Sequence, residues 1–167
     1  MVTARPEVQL HLLRHAHAGD PAKWQGSDDV RPLSEKGRLQ AERLGIFLAH
    51  ANFEPDAIVS SPRLRAIETA RLVAAPLGVA VRVDDALGEP LDIETLEALL
   101  RSWGDPRRPV VVGHDPDFSQ IAADLTGIAE LPVRKGALVR IDLQRPIEAG
   151  AGLLRWLLPP ELLAVTE

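Results

Sequence analysis

Three points in the chain set a cation or an imidazole at the end of a short apolar run. Arg14 and His15 follow Val8 to Leu13, Ser61 to Arg65 follow Ala57 to Ser60, and Gly113 and His114 follow Val110 to Val112. Each run reads as a buried strand, and in open α/β sheets ligands bind beyond the carboxyl ends of the strands. Parallel strands point the same way, so the three loops are expected to open on one side of the sheet. Two arginines, two histidines and the backbone N–H groups of a helix starting after Pro62 then meet in one crevice. That combination describes a phosphate pocket. Guanidinium forks match phosphate oxygens and stay charged at any working pH, and a helix N-terminus adds positive potential. Taken singly, Arg65 reads as a solvated helix residue and His114 as a loop or core histidine; their joint placement at strand ends carries the reading.

The elements that position these groups follow from periodicity. A loop runs from the first strand to about Leu33, and Ser34 is a candidate N-cap for a helix whose Leu44, Phe47, Leu48 and Ala51 fall on one face. Ser61 and Pro62 are expected to open a second helix with Ala66, Ile67, Ala70 and Ala74 as its buried stripe. Val79, Val81 and Val83 alternate as a strand. Residues 94–101 read as helix, and Phe118, Ile121, Ala122 and Leu125 give another amphipathic helix. Residues 137–143 and 153–158 read as two strands separated by Pro146 and Gly150, an antiparallel pair. The sum is an α/β three-layer sandwich: a largely parallel sheet, helices on both faces, and an antiparallel edge pair near the C-terminus.

Composition sets bounds. The 167 residues are 46% hydrophobic and 26% charged, which suits one globular domain spanning 1–167. The absence of cysteine excludes a disulfide framework, a thiolate metal site and a cysteine nucleophile, and fits a cytoplasmic setting. The short apolar run near residue 8, broken by His11 and Arg14, does not read as a secretory signal, and no apolar stretch reaches membrane length. A net charge of −5 argues against nucleic acid as the main partner, so any anion site must be local.

Five ordered blocks spanning roughly residues 8–143 carry a wider pattern. They are Arg14-His15-Ala16; Arg31-Pro32-Leu33-Ser34-Glu35-Lys36-Gly37 with Gln40, Ala41 and Gly45; Ser60-Ser61-Pro62 with Arg65-Ala66 and Glu68-Thr69-Ala70; Val112-Gly113-His114-Asp115-Pro116; and Gly136-Ala137-Leu138. Together they resemble the histidine phosphatase superfamily, with its phosphoglycerate mutase-like fold, and within it the SixA-type phosphohistidine phosphatase branch. The resemblance implies a phosphatase with His15 as nucleophile and Arg14, Arg65 and His114 holding the phosphate, with Ser61 a further substrate-binding candidate. It implies no metal and no cofactor, and a phosphorylated protein or small phosphorylated substrate as partner. A neutral imidazole can attack phosphorus when its other nitrogen is fixed as the N–H donor.

Three departures from the family pattern stand out. Ala16 replaces the commonest glycine of the signature, and Asp115 and Asp117 put carboxylates near the pocket mouth where the branch often has Asn and Gly. Glu89, in Leu87-Gly88-Glu89, matches a general acid that many relatives carry and this branch commonly lacks; an exposed loop residue is its other reading. Two further functions compete. His11, His15 and His17 share one face of an extended segment, as metal ligands would, although Arg14 beside a cation is repulsive. A non-catalytic phosphate-binding module would need the clamp without the nucleophile. A small-molecule phosphomonoesterase remains the alternative among phosphatases.

Overall fold

A computed structural model describes residues 5–164. The leucine- and valine-rich runs form strands β1 (Val8–Arg14), β2 (Ala57–Ser60), β3 (Val81–Val83), β4 (Pro109–Gly113), β5 (Leu138–Leu143) and β6 (Leu153–Leu158). Between them lie helices α1 (Glu35–His50), α2 (Leu64–Leu77), α3 (Ile93–Ser102) and α4 (Asp117–Thr126). The six strands make one sheet in the order β3-β2-β4-β1-β5-β6. Strands β1 to β4 pair in parallel, and β5 runs antiparallel to both β1 and β6. This is the α/β architecture expected from the sequence, including its antiparallel edge.

Side-chain alternation along the strands feeds two cores, one on each face. Leu10 and Leu12 of β1, Val59 of β2 and Val111 of β4 pack with residues of α3 and α4. Leu13, Ile58, Val110 and Val112 pack with α1 and α2 on the other side. His11 shares that second face. It is buried edge-on against Phe53, and its Nδ1–H donates to the Pro109 carbonyl at 3.1 Å, while burial lowers its pKa to about 4. A neutral, singly bonded imidazole there is a sheet residue.

Register brings the three chemically loaded ends to one level. Arg14 pairs with Gly113 across β1 and β4, and Ser60 pairs with Val112 across β2 and β4. The loops after β1, β2 and β4 thus leave three adjacent strands side by side. Beneath the β4–α4 turn lies Phe118, whose ring would sit 2.6 Å from a Cβ at position 113. Only glycine fits there.

Two helix details differ from the sequence reading. In α1 the buried stripe is Gly37, Ala41, Leu44, Gly45 and Leu48, whereas Phe47 and Ala51 are exposed. Small residues line the stripe because α2 crosses closely; a Cβ at Gly45 would lie 2.9 Å from the Leu72 and Val73 carbonyl oxygens. In α2 the helix begins at Leu64 rather than directly after Pro62, with Arg63 extended at its N-cap, and Ile67 is only partly buried. Ser61 N–H remains bonded to the Val112 carbonyl at 2.9 Å, which keeps the chain in strand-like geometry until it turns.

No helix among the described residues is long and apolar enough to cross a membrane. The α1–α2 contact is testable directly. Gly45→Ala must push the helices apart and should lower the unfolding free energy by about 1–3 kcal/mol. Urea denaturation checks this, and an unchanged midpoint would contradict the close crossing.

Candidate active site

The segment that leaves β1 has its backbone fixed from several sides. His15 N–H donates to the Gly113 carbonyl at 3.0 Å, and Gly136 N–H donates to the carbonyls of Arg14 and His15 at 3.1 and 3.0 Å. Ala16 N–H donates to Thr69 Oγ1 and His17 N–H to Gln40 Oε1, each at 3.0 Å. Ser34 N–H reaches the His17 carbonyl at 3.0 Å. The start of α1 lies against this segment so tightly that a Cβ at Gly37 would sit 1.9 Å from that same oxygen. Gln40, Thr69 and Gly37, legible only as pieces of motif, are thus the parts that hold the loop. The buried Ala16 occupies the signature's glycine position without obstruction.

His15 is 5% exposed, and its Nδ1–H donates to the Ala16 carbonyl at 2.8 Å. A carbonyl can only accept, so Nδ1 carries the proton and Nε2 keeps its lone pair. Burial lowers the His15 pKa to about 3, helped by the nearby charges of Arg65, Arg14 and Lys135 and opposed by the Ala16 bond. The ring is neutral at any physiological pH.

His114 faces it, with ring centroids 5.3 Å apart. Its Nε2 lies 2.7 Å from Ser61 Oγ, which also accepts from Arg63 N–H at 3.3 Å. When the Ser61 hydroxyl gives its proton to His114 Nε2, Nδ1 is the N–H. Burial lowers the His114 pKa to about 3, with His15, Arg65 and Arg63 contributing in that order. Ser61 is fully buried and stands as a partner of His114.

Both expected arginines are present. Arg14 Nη1 donates to Asp115 Oδ2 at 3.2 Å and to the Val133 carbonyl at 3.1 Å. Asp115 is not a free charge at the mouth: it also accepts from Ser119 N–H and Oγ–H at 3.0 and 2.7 Å. Arg65 donates through Nη1 to the Asp28 carbonyl at 2.8 Å and through Nη2 to Asp28 Oδ2 at 2.9 Å. Arg14 Nε, Arg65 Nε and His114 Nδ1 are buried without a hydrogen-bond partner among the described residues. Two unpaired guanidinium N–H groups and an unpaired imidazole nitrogen in one cluster are expensive unless a ligand meets them. An oxyanion is the acceptor that their charge favours.

Sequence reasoning missed three members of this cluster. Asp28 joins Arg65 to Arg31, whose Nε donates to Asp28 Oδ1 at 2.9 Å, and these arginines hold the Asp28 carboxyl below its usual range. Arg31 belonged to a quoted block without an assigned role. Lys135 precedes Gly136, whose φ of 79° is open mainly to glycine, and that turn carries the lysine towards the arginines. Burial first, then Arg14, Arg31 and Arg65, lower the Lys135 pKa. The only available sequence signal was a lysine immediately before the last block.

The remaining candidates divide. Glu89 is exposed, but it shares the wall of a cavity of about 250 Å³ with His114, Arg63 and Asp117. Asp117 accepts from Leu91 N–H at 3.0 Å, so it closes that cavity from the α4 side. The three histidines of the metal reading do not converge. His11 bonds to Pro109, His15 to Ala16, and His17 Nδ1 lies 2.6 Å from Ser34 Oγ at the loop's other side. Among the described residues no group of three His, Asp or Glu side chains is placed to share an ion.

The chain is similar to several known proteins. An uncharacterized protein of Picosynechococcus sp. is 32% identical over 118 residues, covering 69% of this chain and 71% of its own. The structure of the protein histidine phosphatase SixA complexed with tungstate superposes with a TM-score of 0.78 at 24% identity, over 94% of this chain and all of that one. The α-ribazole phosphatase of Shigella flexneri superposes at 0.71 and 20% identity, over 92% and 97%. At those identities the likeness is one of fold. Residues 10–107, more than half of the 167, match the histidine phosphatase superfamily (branch 1), and the chain belongs to that superfamily.

Proposed function

We propose that this protein is a phosphatase that passes the phosphoryl group through Nε2 of His15, acting in the cytoplasm on phosphohistidine borne by a protein. The observation that carries the reading is the bond from His15 Nδ1–H to the Ala16 carbonyl at 2.8 Å. It dictates the tautomer with a lone pair on Nε2, on a ring kept neutral between two arginines.

In the first step Nε2 attacks phosphorus and the bond from phosphorus to the leaving nitrogen breaks. Arg14, Arg65 and the His114 Nδ1–H offset charge on the phosphoryl oxygens, as fixed dipoles and cations do best in a buried site. The leaving imidazole takes its bonding pair and a proton. Water then attacks phospho-His15, releasing orthophosphate and restoring the lone pair. His15→Ala should abolish turnover, by about 10⁴-fold or more, together with an acid-labile, base-stable phosphoenzyme. Phosphate mapped to any other residue would end this mechanism.

No step calls for a metal, because the charge a cation would bring is already supplied by Arg14 and Arg65. Activity should survive exhaustive chelation. Loss with chelator and recovery with zinc or manganese would reopen the metal reading.

Substrate preference follows from the leaving group. An alkoxide needs a positioned acid, whereas an imidazole can be protonated near neutral pH without one. Glu89 is exposed on a cavity wall, so its reach to a leaving group is weakly constrained. A phosphorylated histidine-containing protein should therefore show higher kcat/KM than an aryl phosphate, and that higher than an alkyl phosphate. Glu89→Gln should leave the first within about threefold, against the roughly 10²-fold loss expected of a true general acid. If the alkyl phosphate is the best substrate and Glu89→Gln removes its hydrolysis, the small-molecule phosphomonoesterase reading replaces this one.

A further inference from the structure

Nη1 of Arg14 has two hydrogens and two acceptors, Asp115 Oδ2 at 3.2 Å and the Val133 carbonyl at 3.1 Å. One hydroxyl holds both acceptors. Ser119 Oγ–H donates to Asp115 Oδ2 at 2.7 Å, and the same oxygen accepts from Val133 N–H at 2.8 Å. The bonds close a ring that runs from Arg14 to Asp115, Ser119, Val133 and back to Arg14. Ser119 can do this because it lies in the first turn of α4, where backbone N–H groups have no partner inside the helix. Its own N–H goes to Asp115 Oδ1 at 3.0 Å, so both oxygens of that carboxylate are tied to the helix. Val133 is buried and stands three residues before Gly136, whose N–H holds the carbonyls of Arg14 and His15. One end of this short segment fixes the arginine's backbone, and the other fixes its side chain.

With Nη1 saturated, Nε and Nη2 are left, and they form one edge of the planar guanidinium fork. Nε is buried without a partner, and Nη2 makes no hydrogen bond among the described residues. We propose that Ser119 is a positioning residue for the reaction: its hydroxyl, by holding Asp115 and Val133 together, aims the Nε–Nη2 edge of Arg14 at the phosphoryl group. The proposal rests on the reading of Arg14 as a phosphate clamp. An arginine side chain left to itself samples many rotamers, and a carboxylate alone fixes only one contact of its head group. Two bonds at one nitrogen, to acceptors on different segments, also fix how the plane of the guanidinium is turned. Removing the hydroxyl takes a donor from Asp115 and leaves the Val133 N–H without its acceptor, so both supports of Nη1 loosen together. Ser119 reaches no substrate atom in this arrangement; it acts through Arg14.

The test is a double-mutant cycle on the full chain, with kcat/KM for an aryl phosphate taken from single turnovers in excess enzyme so that slow variants stay measurable. Ser119→Ala should lower kcat/KM by about 10- to 100-fold, the loss that a small misplacement of a positioned group brings. In an Arg14→Ala background the same change should cost less than about twofold more, because the group it positions is gone. A larger further loss there shows that Ser119 acts independently of Arg14, as a merely structural serine would, and overturns the proposal. Wild-type kcat/KM in Ser119→Ala does so as well. Ser119→Thr keeps a donor and an acceptor and should rescue activity to within about threefold of wild type; a loss equal to that of Ser119→Ala contradicts the role of the hydroxyl. Should Ser119→Ala not fold, Ser119→Cys, of similar shape with a weakly bonding thiol, carries the same cycle, and failure of both to fold overturns a role exerted through Arg14. Arg14→Ala alone separates the two levels: wild-type kcat/KM there removes the clamp itself, whereas a large loss beside an unaffected Ser119→Ala removes only the positioning role.

Discussion

The satisfied backbone between His15 and His17 is the constraint on which the rest depends. All six of its peptide N–H and C=O groups have a partner: Gly113 and Gly136 take His15, Thr69 and the His15 ring take Ala16, and Gln40 and Ser34 take His17. These partners come from β4, the segment before β5, α2 and the start of α1, so the sheet and the α1/α2 layer together hold one tripeptide. Glycine at 37 completes the arrangement, since any side chain there would collide with the His17 carbonyl. Buried backbone groups must be paired somewhere, and here the pairing fixes a functional loop as firmly as a strand.

Electrostatics explains why a chain of net charge −5 can hold a cationic pocket. Arg14, Arg31, Arg63, Arg65 and Lys135 gather around two histidines, and mutual repulsion would spread them if nothing intervened. Asp115 and Asp28 intervene. Asp115 is itself fixed by Ser119 and is a rigid counter-charge for Arg14, whereas Asp28 is half exposed on a turn. Arg14 gives a single nitrogen to its carboxylate partner, while Arg65 gives two nitrogens to Asp28. The two clamps are therefore not equivalent, although the sequence presents both simply as arginines after strands.

Much of this was legible because residue type and position coincide at strand ends. Arg14, His15, Arg65 and His114 could be brought together on paper by the parallel-sheet rule alone, and adjacent strands in register do bring them together. What was not legible obeys other physics. The buried face of α1 was misplaced at Phe47 because hydrophobicity stands in for burial in a sequence, while a close helix crossing selects glycine and alanine instead. The sequence places the start of α2 too early because Pro62 resembles a first helical residue. Tertiary bonds from Ser61 to Val112 and His114 hold the chain extended there. Asp28 and Lys135 lie in segments without periodicity, so nothing in the sequence tied them to a strand end. Ser61, a substrate-binding candidate in the sequence, has its hydroxyl 2.7 Å from His114 Nε2, a contact between distant segments that no local pattern announces.

Two histidines with their rings 5.3 Å apart raise the question of which attacks phosphorus. His15 is buried, His114 is partly buried, and burial lowers both pKa values to about 3, so charge does not separate them. Their hydrogen-bond partners do. The Ala16 carbonyl can only accept, which assigns the His15 proton to Nδ1 and leaves Nε2 as an electron pair. Ser61 Oγ, an acceptor for Arg63 N–H, can give its proton to His114 Nε2, and His114 then has its N–H at the buried, unpartnered Nδ1. For His15 the opposite tautomer would set the Nδ1 lone pair against a carbonyl oxygen that can only accept. The Ser61 hydroxyl, which can both donate and accept, places no such restriction on His114. In the proposed reaction the choice of His15 as nucleophile is therefore written in one main-chain oxygen.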